Sequence, residues 1–204
     1  MKRHALAAAL ILGGLVPALA QAQQMVPVAD LTTVRPLIGL MGTFGGDKLA
    51  DVIYTDGTTS SVTAGGTVYF YAGAEIHPAH LPFSILATVG YHASSAGGNN
   101  GDVRFERIPL EALALFDVVP GVFRLGGGLQ YAMNANLNSS GVVAAPAVSF
   151  GNALGGVVQA EWMLNPHFGI EARYVNERYS FDAGNGNTGH VDGSHGGVGV
   201  NWYF

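Results

Sequence analysis

The eleven residues from Ser194 to Phe204, SHGGVGVNWYF, decide the fold. Successive side chains of an extended strand point to opposite faces. Val198, Val200, Trp202 and Phe204 therefore share one face, and His195, Gly197, Gly199, Asn201 and Tyr203 share the other. The first face is a continuous apolar strip that finishes on an aromatic residue. A soluble protein has little reason to end a strand this way. The last strand of a transmembrane β-barrel does, because one of its sides faces lipid and aromatics gather at the interface.

The composition points the same way. A soluble domain carries about a quarter charged residues, whereas this chain has 11%, together with 49% hydrophobic residues and 30 glycines. No segment after the N-terminal one approaches the unbroken apolar length of a membrane-spanning helix. A barrel in lipid reconciles these facts, since its apolar residues are spread one in two along many short strands. The chain has no cysteine, which excludes a disulfide framework and thiolate chemistry.

The N-terminus reads as an export signal. Lys2, Arg3 and His4 precede an apolar run from Ala5 to Leu19, and Ala20-Gln21-Ala22 fits a small-x-small cleavage site. The run is short for a transmembrane anchor. Residues 1–22 are expected to be a signal peptide, 23–35 a periplasmic lead-in and 36–204 one barrel domain. Removing Lys2 and Arg3 from the nine bases leaves seven against fourteen acids, a net charge of −7. No basic patch marks a nucleic-acid partner.

Eight alternating segments follow. They are 36–45, 62–76, 83–93, 102–116, 122–133, 148–163, 168–181 and 194–204. The connections after the second, fourth and sixth are short, as in Asn165-Pro166. Those after the first, third, fifth and seventh are longer and rich in Gly, Asn, Ser and Asp; Leu49–Tyr54 is placed to extend the first hairpin above the membrane. Short periplasmic turns alternating with longer outward loops are the pattern of an up-and-down outer-membrane barrel. The fold class expected is thus all-β, an eight-stranded antiparallel up-and-down transmembrane β-barrel. A soluble barrel of the lipocalin kind alternates too, with apolar residues inside. Two details favour lipid. The polar faces are poor in Lys, and Phe83, Phe116, Phe123, Trp162, Phe168, Trp202 and Phe204 cluster at the short-turn ends as a girdle.

With the strands laid out, the chain resembles the small outer-membrane β-barrel superfamily of Gram-negative bacteria, which includes the OmpA transmembrane domain, OmpX and OmpW. The resemblance covers about 36–204. Its most specific part is the C-terminal assembly signal, polar-x-Gly-x-x-apolar-x-aromatic. Gly199, Trp202 and Phe204 match it, while Gly197 stands at the polar position. The resemblance implies residence in outer-membrane lipid and insertion by the outer-membrane assembly machinery. It implies no single activity, because such barrels serve as anchors, adhesins, small-solute pores and lipid-modifying enzymes.

Glu75, Arg107, Glu111, Arg124, Glu161, Glu171 and Arg173 all fall on the face expected to point inward. An eight-stranded barrel is just wide enough for side chains to fill, and buried charges are normally paired. The seven are expected to form a plug in which each arginine meets one of these glutamates; the alternative is a gated or proton-conducting path. His190, Asp192 and His195 are spaced as weak metal ligands, and His77 and His80 are a second pair. Both groups read more simply as loop and turn residues, so no metal or cofactor is expected. Lipid deacylation requires Ser and His side by side on the lipid face. Ser194 and His195 point to opposite faces, and Ser84 and His92 lie far apart along one strand, so an enzyme is not expected. A non-enzymatic surface protein presenting loops ranks first, with an extracellular partner that the residues do not name. A narrow channel for small or hydrophobic solutes ranks second, and a lipid-modifying enzyme last.

Overall fold

Thirteen strands run along the chain in a computed structural model that describes residues 32–54, 56–98, 101–141 and 147–204. The expected signal peptide and the lead-in up to residue 31 lie outside the described residues. The compact unit Thr33–Phe204 is the one described below. The strands are β1 (Thr33–Gly45), β2 (Lys48–Ile53), β3 (Thr59–Thr63), β4 (Val68–His77), β5 (Phe83–Gly98), β6 (Gly101–Val119), β7 (Phe123–Ser139), β8 (Val148–Ser149), β9 (Ala153–Asn165), β10 (Phe168–Asn176), β11 (Arg178–Gly184), β12 (Asn187–Asp192) and β13 (His195–Tyr203).

Eight of them, β1, β4, β5, β6, β7, β9, β10 and β13, close into an antiparallel barrel. Neighbours in sequence pair in turn, and β13 closes the ring by pairing with β1 over Leu37↔Tyr203 to Gly45↔His195. Closure leaves no barrel edge unpaired, which is what lipid demands of a sheet.

The alternation is apolar outside and polar inside. Leu40, Val198, Val200, Trp202, Ile170, Trp162, Leu129 and Phe70 are exposed on the outer surface, while Glu75, Glu161, Asn201 and Arg124 are buried in the lumen. This is the inverse of a lipocalin and fits a lipid surround. On β6 the outward residues from Ile108 to Val118 are apolar, an eleven-residue stretch. That matches the roughly 9–11 tilted residues a transmembrane strand needs. At the short-turn end the outer aromatics meet in pairs: Phe83–Phe116 with ring centres 5.5 Å apart, Phe168–Trp202 at 6.1 Å and Phe123–Trp162 at 6.4 Å.

Several boundaries differ from those expected. β1 begins at Thr33, so Thr33, Val34 and Arg35, assigned to the lead-in, pair with β4. Pro36 within β1 lacks an N–H, and its carbonyl accepts from the Phe204 amide at 3.0 Å. The expected second strand divides at Gly65 and Gly66 into β3 and β4, Gly66 having φ of 77°. The expected sixth strand divides into β8 and β9, and the seventh into β10 and β11. Residues 94–98, 134–139 and 182–192, expected as loops, are mostly strand. The reason is the change of surroundings. Beyond the lipid band a strand faces water, so its outward residues are Asn, Ser, Asp and Gly, a composition that mimics a loop.

These extensions build an outer projection on the barrel. β2 pairs with β3 and β11 with β12 as two hairpins. The Asp47 amide donates to the Asp192 carbonyl at 2.7 Å, joining the two. Inside the projection lies a separate apolar core of Val52, Val62, Ala96, Val103, Phe105, Ala132, Ala135, Leu137, Ala153 and Tyr179.

Candidate functional site

The lumen is the most elaborate part of the molecule. Its charges come from inward positions of six strands. At the short-turn end, Arg35 Nε donates to Glu75 Oε2 at 3.0 Å, and its Nη1 donates to the Pro166 carbonyl at 2.9 Å. The other oxygen of Glu75 takes Arg124. Arg124 Nη2 in turn donates to Glu161 Oε2 at 2.6 Å and to the Tyr203 hydroxyl at 2.8 Å, and that hydroxyl donates to Glu161 Oε1 at 2.8 Å. Below this layer the lumen opens into a cavity of about 580 Å³ bordered by Arg35, Glu75, Asp117 and Arg124.

The middle layer is centred on Arg173. Its Nη1 lies 2.9 Å from both oxygens of Glu111, and its Nη2 donates to Gln159 Oε1 at 2.7 Å and to Glu171 Oε2 at 3.3 Å. Thr88 donates to Glu111 Oε2 at 2.9 Å. Asn201 Nδ2 bridges the two layers, reaching Glu161 at 2.9 Å and Glu171 at 3.3 Å, while the Tyr71 hydroxyl meets Glu171 and Asn201. Tyr71 has room because Gly39 lies opposite: a Cβ there would sit 2.5 Å from the ring carbon Cε2. The Arg173 guanidinium also lies over the Tyr71 ring, 5.2 Å from its centre, a favourable cation–π position.

The upper layer holds Arg107, whose Nη2 is 3.1 Å from Glu177 Oε1. Gln130 Nε2 donates to Glu177 Oε2 at 2.8 Å. His92 Nε2 and the Thr43 hydroxyl share a bond of 2.8 Å, and His195 Nδ1 donates to the Gly193 carbonyl at 2.8 Å. Above Arg107 the apolar core begins: its guanidinium lies 5.5 Å from the Phe105 ring centre and 5.6 Å from that of Tyr179.

All seven charged residues named from the sequence face the lumen and are 0–5% exposed. Arg124 and Arg173 meet glutamates of the named set, but Arg107 does not. Its ion-pair partner is Glu177, which the sequence reading left out. Arg35 was left out as well. Glu177 was within reach, since it continues the inward parity of Glu171, Arg173 and Val175. Arg35 is hidden from a sequence reading because Pro36, which lacks an N–H, marks the expected strand start. Of the assembly-signal residues, Gly199 faces inward beneath Met41, where a Cβ would lie 2.9 Å from the Met41 Cβ. Trp202 and Phe204 point outward, 47% and 61% exposed.

The weak metal group is dispersed. His195 is buried in the lumen, while His190 and Asp192 lie on β12. No set of three metal-ligating side chains occurs among the described residues. Asp192 instead serves as a turn: its Oδ1 accepts from the Ser194 amide at 2.9 Å, and bonding from Ser194 holds its carboxyl below the usual carboxylate range.

This closed, lipid-banded sheet with a charged interior defines the class: an eight-stranded transmembrane β-barrel. No family model matches the chain, and no curated protein matches it in sequence. Among solved structures it is similar to Ail, the attachment invasion locus protein of Yersinia pestis, in complex with the heparin analogue sucrose octasulfate. The identity is 13%, over 85% of this chain and 99% of that one, with a TM-score of 0.53. It also matches Neisserial surface protein A at 11% identity, over 84% of this chain and 97% of that one, TM-score 0.45. OprG of Pseudomonas aeruginosa matches at 15% identity, over 84% of this chain and 95% of that one, TM-score 0.44. The likeness to Ail is one of fold.

Proposed function

We propose that this chain is a non-enzymatic surface protein of the Gram-negative outer membrane, in which the barrel anchors the outer projection. Export by a cleaved signal and insertion by the outer-membrane assembly machinery belong to the same proposal. The observation that carries it is the filled lumen. From Arg35 to Arg107 the interior is crossed by paired side chains, and the apolar core of Phe105 and Tyr179 lies over them. Such an interior suits an anchor better than a water path. The strands meanwhile extend well beyond the lipid band, which a bare plug does not need. The strand histidines His92 and His195 point into the lumen, away from any lipid substrate, which supports a non-enzymatic role.

The ligand of Ail is not carried over to this chain. The outer segments hold Asp47, Asp51, Asp56, Asp102, Glu106, Asp182 and Asp192 against Lys48, Arg104 and Arg178. An acidic outer end repels a sulfated polyanion.

Conductance in planar bilayers tests the anchor. Wild-type protein is expected to be silent and Arg124→Ala to open discrete steps. Steady conduction by the wild type puts the narrow channel ahead.

A further inference from the structure

We infer that the outer projection carries a binding cleft for a neutral saccharide, formed between the segment leading into β9 and the β11–β12 hairpin. The inference rests on the surface-protein reading for its biological setting, while the cleft itself is a feature of the fold. It is a cavity of about 400 Å³, within the range of small-ligand sites. The Gly151 amide donates to the Ser180 carbonyl at 2.7 Å and fixes one wall against the other. The hairpin is held by the pairs Ser180↔His190 and Asp182↔Thr188, and its tip turns through Gly184, Asn185 and Gly186, all with positive φ.

The lining chemistry selects the ligand. Ser180 and Thr188 bring hydroxyls, Asn187 an amide and Asp182 a carboxylate, beside Ser149, whose hydroxyl donates to Asn136 Oδ1 at 2.9 Å; Phe181 lies between Ser180 and Asp182 with its ring on the opposite face of β11, over Gly189. Among the described residues, no side-chain hydrogen bond engages Ser180, Asn187 or Thr188. Asp182 is oriented by the Gly184 amide, which donates to its Oδ1 at 2.8 Å. Phe181 is steadied by Phe150, with ring centres 5.7 Å apart. Among the described residues, no lysine or arginine lines the cleft, so an anion finds no counter-charge there. A lone carboxylate is too few for a calcium site, which takes six to eight oxygens. A polyol that donates and accepts at each hydroxyl matches the set of groups. Sugar hydroxyls would meet one carboxylate held in place, Asp182, and the unengaged polar groups of Ser180, Asn187 and Thr188.

The test uses the full mature chain refolded in phosphocholine micelles, because glycoside detergents carry a sugar headgroup that would compete. An array of neutral mono- and disaccharides, with sucrose octasulfate as the anionic probe, is screened by saturation-transfer NMR and titrated. At least one neutral sugar is expected to saturate. Asn187→Ala and the isosteric Thr188→Val should each weaken it by about tenfold, the scale of one or two lost hydrogen bonds. Asp56→Asn on the other hairpin should leave it unchanged. The inference is overturned if no neutral sugar saturates, if both cleft variants bind like the wild type, or if the octasulfate displaces the sugar more tightly than any neutral probe. A separate measurement keeps the anchor reading apart: Asn185→Cys on intact cells should react with a membrane-impermeant maleimide. Failure to label removes the surface reading and leaves the micelle result standing.

Discussion

Strand β6 passes through two environments and changes its chemistry between them without changing its period. Within the lipid band it turns Arg107 and Glu111 inward and Ile108, Leu110 and Phe116 outward. Above the band it turns Val103 and Phe105 inward and Asp102, Arg104 and Glu106 outward. The backbone alternation is the same in both halves; what changes is the solvent against the outer face. The junction is marked by a bulge, where Glu106↔Asn136 gives way to Ile108↔Met133 and Asn134 takes a positive φ of 54°. One extra residue on β7 resets its parity, so that Gln130 and Ala132 face inward below the junction and Ala135 and Leu137 above it. A single sheet can therefore carry a charged core and an apolar core end to end, provided that its surroundings change at the same level.

The comparison breaks most directly in the charged half. Arg173→Met should leave Glu111 and Glu171 buried without a cation and cost about 3–5 kcal/mol, read by urea unfolding in lipid vesicles. Replacing Glu111 and Glu171 by Leu in the same chain should recover much of that loss, since an apolar core needs no counter-charge. In the apolar half, Phe105→Ala should also cost about 3–5 kcal/mol, but the damage should stay local. Limited proteolysis should cut the projection while the barrel band stays protected. A barrel that unfolds with it would show that the two cores are one cooperative unit.

The outer face supplies the next contrast. Val200→Arg places a charge against lipid and should cost about 2–4 kcal/mol. Ile53→Arg, on an outward position of β2 that is 76% exposed, should change stability by no more than about 0.5 kcal/mol. Equal losses at the two positions would mean that the projection also lies in lipid.

Much of the barrel was legible because lipid makes the contrast between the faces sharp. Val198, Val200 and Trp202 against Gly197, Gly199 and Asn201 leave one register open. The short-turn ends were legible through their aromatics and prolines. Of the projection only Leu49–Tyr54 was legible, and it falls on β2, which pairs with β3. Where the outer face meets water, β5 runs on as Ser94-Ser95-Ala96-Gly97 and β7 as Asn134-Ala135-Asn136, which differ little from loop sequence. The hairpin of β11 and β12 was hidden for the same reason, although Gly184-Asn185-Gly186 is a strong turn signal. The inward charges could be placed by parity from one strand, but their partners could not. Arg124 is 49 residues from Glu75, and Arg107 is 70 residues from Glu177, and only the closed ring brings them together.

The seam between β1 and β13 also governs the order of events in time. Its nine residue pairs join positions as much as 166 apart, Leu37 with Tyr203. Until that seam forms, each bordering strand holds a row of unpaired N–H and C=O groups, and in hydrocarbon each such group costs several kcal/mol. A half-built sheet thus has no comfortable resting place in the bilayer, and its bare margins are templates for any other extended chain. Zippering of the seam and entry into lipid must be concerted, and the residues that set the seam's register, Leu40 facing Val200 among them, hold the last step of assembly.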